Sequence, residues 1–141
     1  MKFDHLILFA LLFIPFSVSS QKRPLDSIFN LAVEFSKAGD VANSTSNYLA
    51  AQKLAEADND LKLLCRIHLG LGKLSLISEN NTAVSEALIK AEKYCRACKD
   101  TVGLARGAMQ KGILKVKENQ MDSAMAAMLR SVELYTRIKD T

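Results

Sequence analysis

Residues 31–60 read LAVEFSKAGDVANSTSNYLAAQKLAEADND, and moving this stretch along the chain by 40 residues lays like on like twice more. Small residues coincide at Ala32, Gly72 and Gly112, and again at Ala51, Ala91 and Ser131. Large apolar residues coincide at Tyr48, Leu88 and Met128 and at Leu54, Tyr94 and Leu134, and an acid recurs at Asp60, Asp100 and Asp140. A fixed period of this length marks a chain whose units cannot bury their apolar faces singly and must stack to make a core. The units fall at about 21–60, 61–100 and 101–140.

Within a unit the apolar residues are spaced near 3.6 rather than 2, as in Ile28, Leu31, Ala32 and Phe35 or Ile67, Leu71 and Leu74, which is helical spacing. Turn chemistry divides each unit in two. Ala38-Gly39-Asp40, Ser78-Glu79-Asn80-Asn81 and Glu118-Asn119-Gln120 make the first turns, and Asp58-Asn59-Asp60 and Cys98-Lys99-Asp100 the second, with Asp60 and Asp100 suited to cap the helix that follows. The only prolines are Pro15 and Pro24, so nothing interrupts a helix after residue 24. The sequence therefore predicts an all-α chain of three antiparallel helix pairs, with helices at about 24–38, 41–57, 61–78, 81–98, 101–118 and 121–138.

These residues resemble the tetratricopeptide repeat family over about residues 24–141. Unit one carries Leu31-Ala32, Phe35, Gly39-Asp40-Val41, Tyr48, Ala51 and Leu54, the small, aromatic, Gly-Asp, aromatic, Ala order of that family. Unit two keeps Leu71-Gly72, Asn80, Ala87-Leu88 and Ala91, and unit three keeps Gly112, Ala124, Met128 and Leu134. The family's Trp is missing, and Ser75 and Lys115 stand where an aromatic belongs. The resemblance implies a right-handed superhelical α-solenoid that binds a protein or peptide and has no enzymatic activity. Its first helices would line a concave groove at Phe29, Val33, Lys37, Arg66, Leu69, Lys73, Ile77, Arg106, Met109, Ile113 and Lys117. Such a groove, apolar with basic points, suits an extended or helical peptide with apolar anchors and one or two carboxylates. Of the family's carboxylate-clamp positions only Arg106 fits, Phe29, Val33 and Gly70 occupying others, so a chaperone-tail receptor is not expected. The 40-residue unit is similar to exported arrays of bacterial sensors. An alternative expectation is therefore the N-terminal input module of a membrane signalling protein with a histidine kinase or helix–turn–helix output.

The first twenty residues read as a secretory signal peptide, leaving residues 21–141 as the repeat domain. Lys2 supplies the positive end, Leu6 to Phe16 the apolar run, and Val18-Ser19-Ser20 the small residues before Gln21. The apolar run is shorter than the roughly 20 residues that span a bilayer, so a membrane association is expected only if this segment stays uncleaved. The expected compartment is periplasmic or extracellular. Lys2 and Asp4 cancel, so residues 21–141 keep the net charge of +4. That charge is scattered rather than massed with aromatics, which argues against nucleic acid as a partner.

Three cysteines, Cys65, Cys95 and Cys98, all belong to unit two, and antiparallel helices bring the start of its first helix beside the end of its second. Three readings stay open. Cys65 bonds to Cys95 or Cys98, as an oxidising compartment allows; all three join His68, one turn from Cys65, in a Cys3His zinc site of a redox or metal-binding protein; or they are small buried hydrophobes in the places of Leu25 and Ala55. No cofactor, metal or catalytic residue is expected. His68, the only histidine after residue 20, sits on an apolar helix, and Gly70, Gly72, Gly103, Gly107 and Gly112 lie within helical patterns rather than in a phosphate loop. Asn43-Ser44-Thr45 and Asn80-Asn81-Thr82 fit the glycosylation sequon. The array is expected to lack a capping helix after residue 138. Met121, Met125, Met128, Leu129, Val132 and Tyr135 would then leave an apolar strip on the last helix, suited to self-association or another partner.

Overall fold

A computed structural model describes residues 23–140, so residues 1–20, expected to be a signal peptide, lie outside the described residues. The chain forms α1 (Pro24–Lys37), α2 (Val41–Ala57), α3 (Leu61–Ile77), α4 (Asn81–Ala97), α5 (Thr101–Lys117) and α6 (Met121–Lys139), with no strand among the described residues. Each end lies within one residue of its expected place. Consecutive helices pack against each other, and α3 also packs against α1 and α5, whereas α2, α4 and α6 have no Cα atoms within 8 Å of one another. No helix among the described residues is long and apolar enough to cross a membrane.

The five connections share one geometry, repeated every 20 residues. Gly39, Asn59, Glu79, Lys99 and Asn119 all take left-handed backbone, with φ between 52° and 79°. The following N–H, of Asp40, Asp60, Asn80, Asp100 or Gln120, reaches back to the carbonyl five residues earlier, at 2.8 to 3.0 Å. This is the Schellman arrangement, which satisfies carbonyls that a helix end leaves bare. The residue that completes one helix then caps the next. Asp40, Asp60, Asn80 and Asp100 accept from the N–H groups of Asn43, Leu63, Ala83 and Gly103 at 3.1, 3.0, 3.1 and 2.9 Å. The 40-residue unit is thus two copies of a helix and a three-residue turn, and the connection changes only at Gln120, whose side chain makes no cap bond to α6.

Only Gly39 adopts the left-handed backbone without a side chain to oppose it. For other residues that conformation costs about 1–2 kcal/mol, partly offset in a comparison with glycine by the roughly 0.5–1 kcal/mol that glycine loses in backbone freedom. Lys99→Gly is therefore expected to stabilise the domain by about 0.5–1 kcal/mol. Denaturant melts followed by circular dichroism check this, and a destabilised variant would mean that Lys99 does more than fill a turn.

Burial follows from the packing order. The second helices bury one narrow stripe each: Ser44, Tyr48, Ala51 and Ala55 on α2, Val84, Ala87, Leu88, Ala91 and Cys95 on α4, and Ala124, Ala127, Ser131 and Leu134 on α6. α3, flanked by four helices, buries Leu63, Leu64, Cys65, Ile67, His68, Leu69, Gly72, Leu74 and Leu76. Two buried hydroxyls stitch pairs together, Ser44 donating to the Ala32 carbonyl at 2.7 Å and Ser131 to that of Ala105 at 2.8 Å. Each bond satisfies a polar atom that would otherwise be costly to bury.

Candidate functional site

The eleven residues expected to line a groove separate into two groups. Phe29 and Leu69 belong to the core, at 5% and 6% exposure, and Val33 packs half-buried against it. The Phe29 ring meets Tyr48 edge to face at 5.7 Å, and the Arg66 guanidinium lies over it, 4.5 Å from the centroid. Leu69 is covered from α5, whose Gln110 donates to the Leu69 carbonyl at 3.0 Å. Lys37 is engaged with Glu34 at 2.8 Å, and Lys117 with the Leu76 carbonyl at 2.9 Å. Phe29 and Leu69 are thus corrected from groove to packing residues. Positions 29, 69 and 109 are equivalent, and each faces the next first helix; α3 covers Phe29 and α5 covers Leu69, while Met109 stays 49% exposed.

Six of the eleven remain available: Arg66, Lys73 and Ile77 on α3, and Arg106, Met109 and Ile113 on α5, all exposed. Their spacing, every three, four or seven residues, keeps them on one face of each helix, and the two helices pack side by side. Arg66 is anchored on Phe29, whereas Lys73 and Arg106 make no ion pair or hydrogen bond among the described residues. The surface is a cationic, partly apolar face with three positive groups and no carboxylate among the six.

The cysteines resolve differently. Cys65 and Cys95 are joined by a disulfide, with Cα atoms 5.0 Å apart, and Cys98 is a free, half-buried thiol. That bond leaves one thiol of the three a Cys3His zinc set requires, and no group of three or more His, Cys, Asp or Glu among the described residues is arranged to hold a metal. The bond sits hard against α5. A β-carbon on Gly103 would come within 2.7 Å of both sulfurs, so glycine is required there for α5 to approach.

His68 is 2% exposed, stacked on Tyr94 with centroids 5.5 Å apart and planes 7° from parallel. Its Nε2 has no hydrogen-bond partner. Burial first, then the charge of Lys90, pushes its pKa down to about 4, Glu56 opposing weakly. A general base must reach the proton it removes, and a ring sealed inside the stack does not.

Sequence reasoning missed a second concavity. α4 and α6 stand apart over α5, and the space between them is lined by Leu88, Leu104, Gly107, Lys111 and Arg130 among others. The signal was present in the 40-residue register, where Ile67 and His68 of unit two become Gly107 and Ala108 in unit three. The apolar strip of α6 is exposed as expected at Met121, Met125, Met128, Leu129 and Val132. No protein-family model matches this chain, and comparison with curated proteins and with solved structures gave no match.

Proposed function

We propose that this chain is an exported, non-enzymatic scaffold of the tetratricopeptide type, a right-handed superhelical stack that binds an acidic, apolar-anchored peptide or protein segment across α3 and α5. The observation that carries the reading is the pattern of contact. First helices touch one another from unit to unit while second helices do not, which supports a curved stack with its first helices inside the bend. The face so formed presents Arg66, Lys73 and Arg106 beside Ile77, Met109 and Ile113, charge and anchor sites in alternation. The Cys65–Cys95 bond supports the exported half of the proposal, since disulfides persist in oxidising compartments. Self-association through the strip on α6 belongs to the same reading.

The test is selection from a displayed library of random peptides, followed by affinity measurement on the peptides recovered. Enrichment for segments combining Asp or Glu with large apolar residues is expected. Changing Arg66, Lys73 and Arg106 together to Ala should then weaken binding by about 1–2 kcal/mol, roughly tenfold, since exposed charge pairs contribute about 0.2–1 kcal/mol each. Helical circular dichroism controls for folding, because Arg66 also packs on Phe29. No enrichment, or unchanged affinity in the folded triple variant, would remove the proposal.

A further inference from the structure

The space between α4 and α6 is a cavity of about 730 Å³ floored by α5. The equivalent lane between α2 and α4 is floored by α3, and there it is filled: Leu63, Leu64, Ile67 and His68 are all buried. Forty residues on, the floor reads Gly103, Leu104, Gly107 and Ala108. Packing against the disulfide explains Gly103, but it does not explain Gly107. A β-carbon at Gly107 would make only an ordinary contact with Leu69, at 3.6 Å. Glycine inside a helix costs about 1 kcal/mol relative to alanine, and the large side chains that are buried in the equivalent lane of unit two, with the burial energy they bring, are missing here. Two departures from the stable choice therefore coincide at one place.

Charge converges on the same cavity from three helices. Glu92 and Arg96 line it from α4, Lys111 and Lys115 from α5 and Arg130 from α6. Glu92 titrates below its usual range, first through its hydrogen bond from Arg96, against an opposing effect of burial, and then through the charges of Arg96, Lys111 and Arg130. Arg96 is engaged with Glu92, whereas Lys111 and Arg130 hold no hydrogen bond or ion pair among the described residues. Lys115 is held by Glu118 at 2.7 Å, and the one lining carboxylate, Glu92, faces the three other cations, so an anion is favoured at the mouth and an apolar group on the floor.

We propose that this cavity binds an anionic amphiphile, with a single alkyl chain lying over Leu88, Leu104, Gly107 and Ala108 and the acid group held by Lys111 and Arg130. The volume falls within the roughly 300–1,000 Å³ of sites that enclose small ligands. By helical spacing the site lies on the side of α5 away from Arg106, Met109 and Ile113, so it is separate from the peptide face and stands or falls independently.

Calorimetric titration with decanoate below its micelle threshold, and with uncharged 1-decanol, tests the proposal. Saturable binding of about one decanoate per chain is expected. Gly107→Ile, which copies Ile67, should weaken it at least roughly tenfold while the melting temperature is held or raised; Ala108→Leu fills the same space should that variant not fold. Lys111→Gln with Arg130→Gln should weaken decanoate about tenfold and leave 1-decanol unchanged. Absence of saturable decanoate binding, wild-type affinity in a folded cavity-filled variant, or binding of an acidic amphipathic peptide in place of decanoate would each overturn the assignment.

Discussion

Removing the Cys65–Cys95 disulfide should lower the stability of the domain by about 3–4 kcal/mol, the entropy that a cross-link closing a loop of this size withholds from the unfolded chain. The bond spans a sequence separation of 30 and ties the start of α3 to the end of α4. Both residues are fully buried, and two thiols in their place would be small hydrophobes satisfied by the same surroundings. The loss is therefore expected chiefly in the unfolded state, with the native helices retained. A double Cys65→Ala, Cys95→Ala variant, or the reduced protein confirmed by mass, should melt roughly 10–20 °C below the oxidised form, while Cys98→Ala should melt close to the parent. Unit two packs on both of its neighbours, so the drop should appear in one transition rather than as separate loss of a pair. Identical melting of oxidised and reduced protein would show that the bond restrains nothing the helices do not already hold.

The helices were legible because each 20-residue stretch carries a complete set of local instructions: an apolar stripe, a residue able to sit in left-handed backbone, and a capping acid or amide. Glu79 and Lys99 are the exceptions, read as turn positions only because they stand in register with Gly39 and Asn59. The sequence left a disulfide as one of three readings of the cysteines, and within that reading left its pairing open. Cys95 and Cys98 are one helical turn apart, and the choice falls to Cys95 because it continues the buried stripe Val84, Leu88, Ala91, whereas Cys98 is the residue that ends the helix.

The face expected to form a groove was legible only in part, for a physical reason. Phe29, Leu69 and Met109 share one register position, and burial there depends on whether another first helix packs alongside, which no single unit encodes. The cavity had the opposite history. Its residues are unremarkable singly, a glycine, an alanine, a lysine and an arginine. The glycine and alanine carry meaning only against Ile67 and His68 one unit earlier, which are buried and fill the lane, and the lysine against Leu71, while the arginine stands in register with another base, Lys90.

Acidification should destabilise the domain through His68 before its carboxylates titrate. The folded state holds the ring neutral, with a pKa of about 4, while the unfolded chain binds a proton near 6.5. Above pH 6.5 both states are neutral and the full stability is present. Between 6.5 and 4 only the unfolded chain gains the proton, so stability falls with pH, by roughly 2 kcal/mol at pH 5 and about 3 kcal/mol once the folded ring protonates as well. The cause is geometric: Nε2 has no acceptor in reach, Tyr94 covers one face of the ring, and Lys90 on α4 adds repulsion that Glu56 on α2 only partly offsets. Asp40, Asp60 and Glu92, whose pKa values are all lowered, lose their contributions at lower pH still. Denaturant melts at pH 7.5, 6.5, 5.5 and 5.0 isolate the histidine, and His68→Phe, which keeps a ring on Tyr94 and removes the proton site, should flatten the dependence over that span. Equal slopes for parent and variant would place the acid sensitivity elsewhere in the stack and show that the buried imidazole carries its proton at little cost.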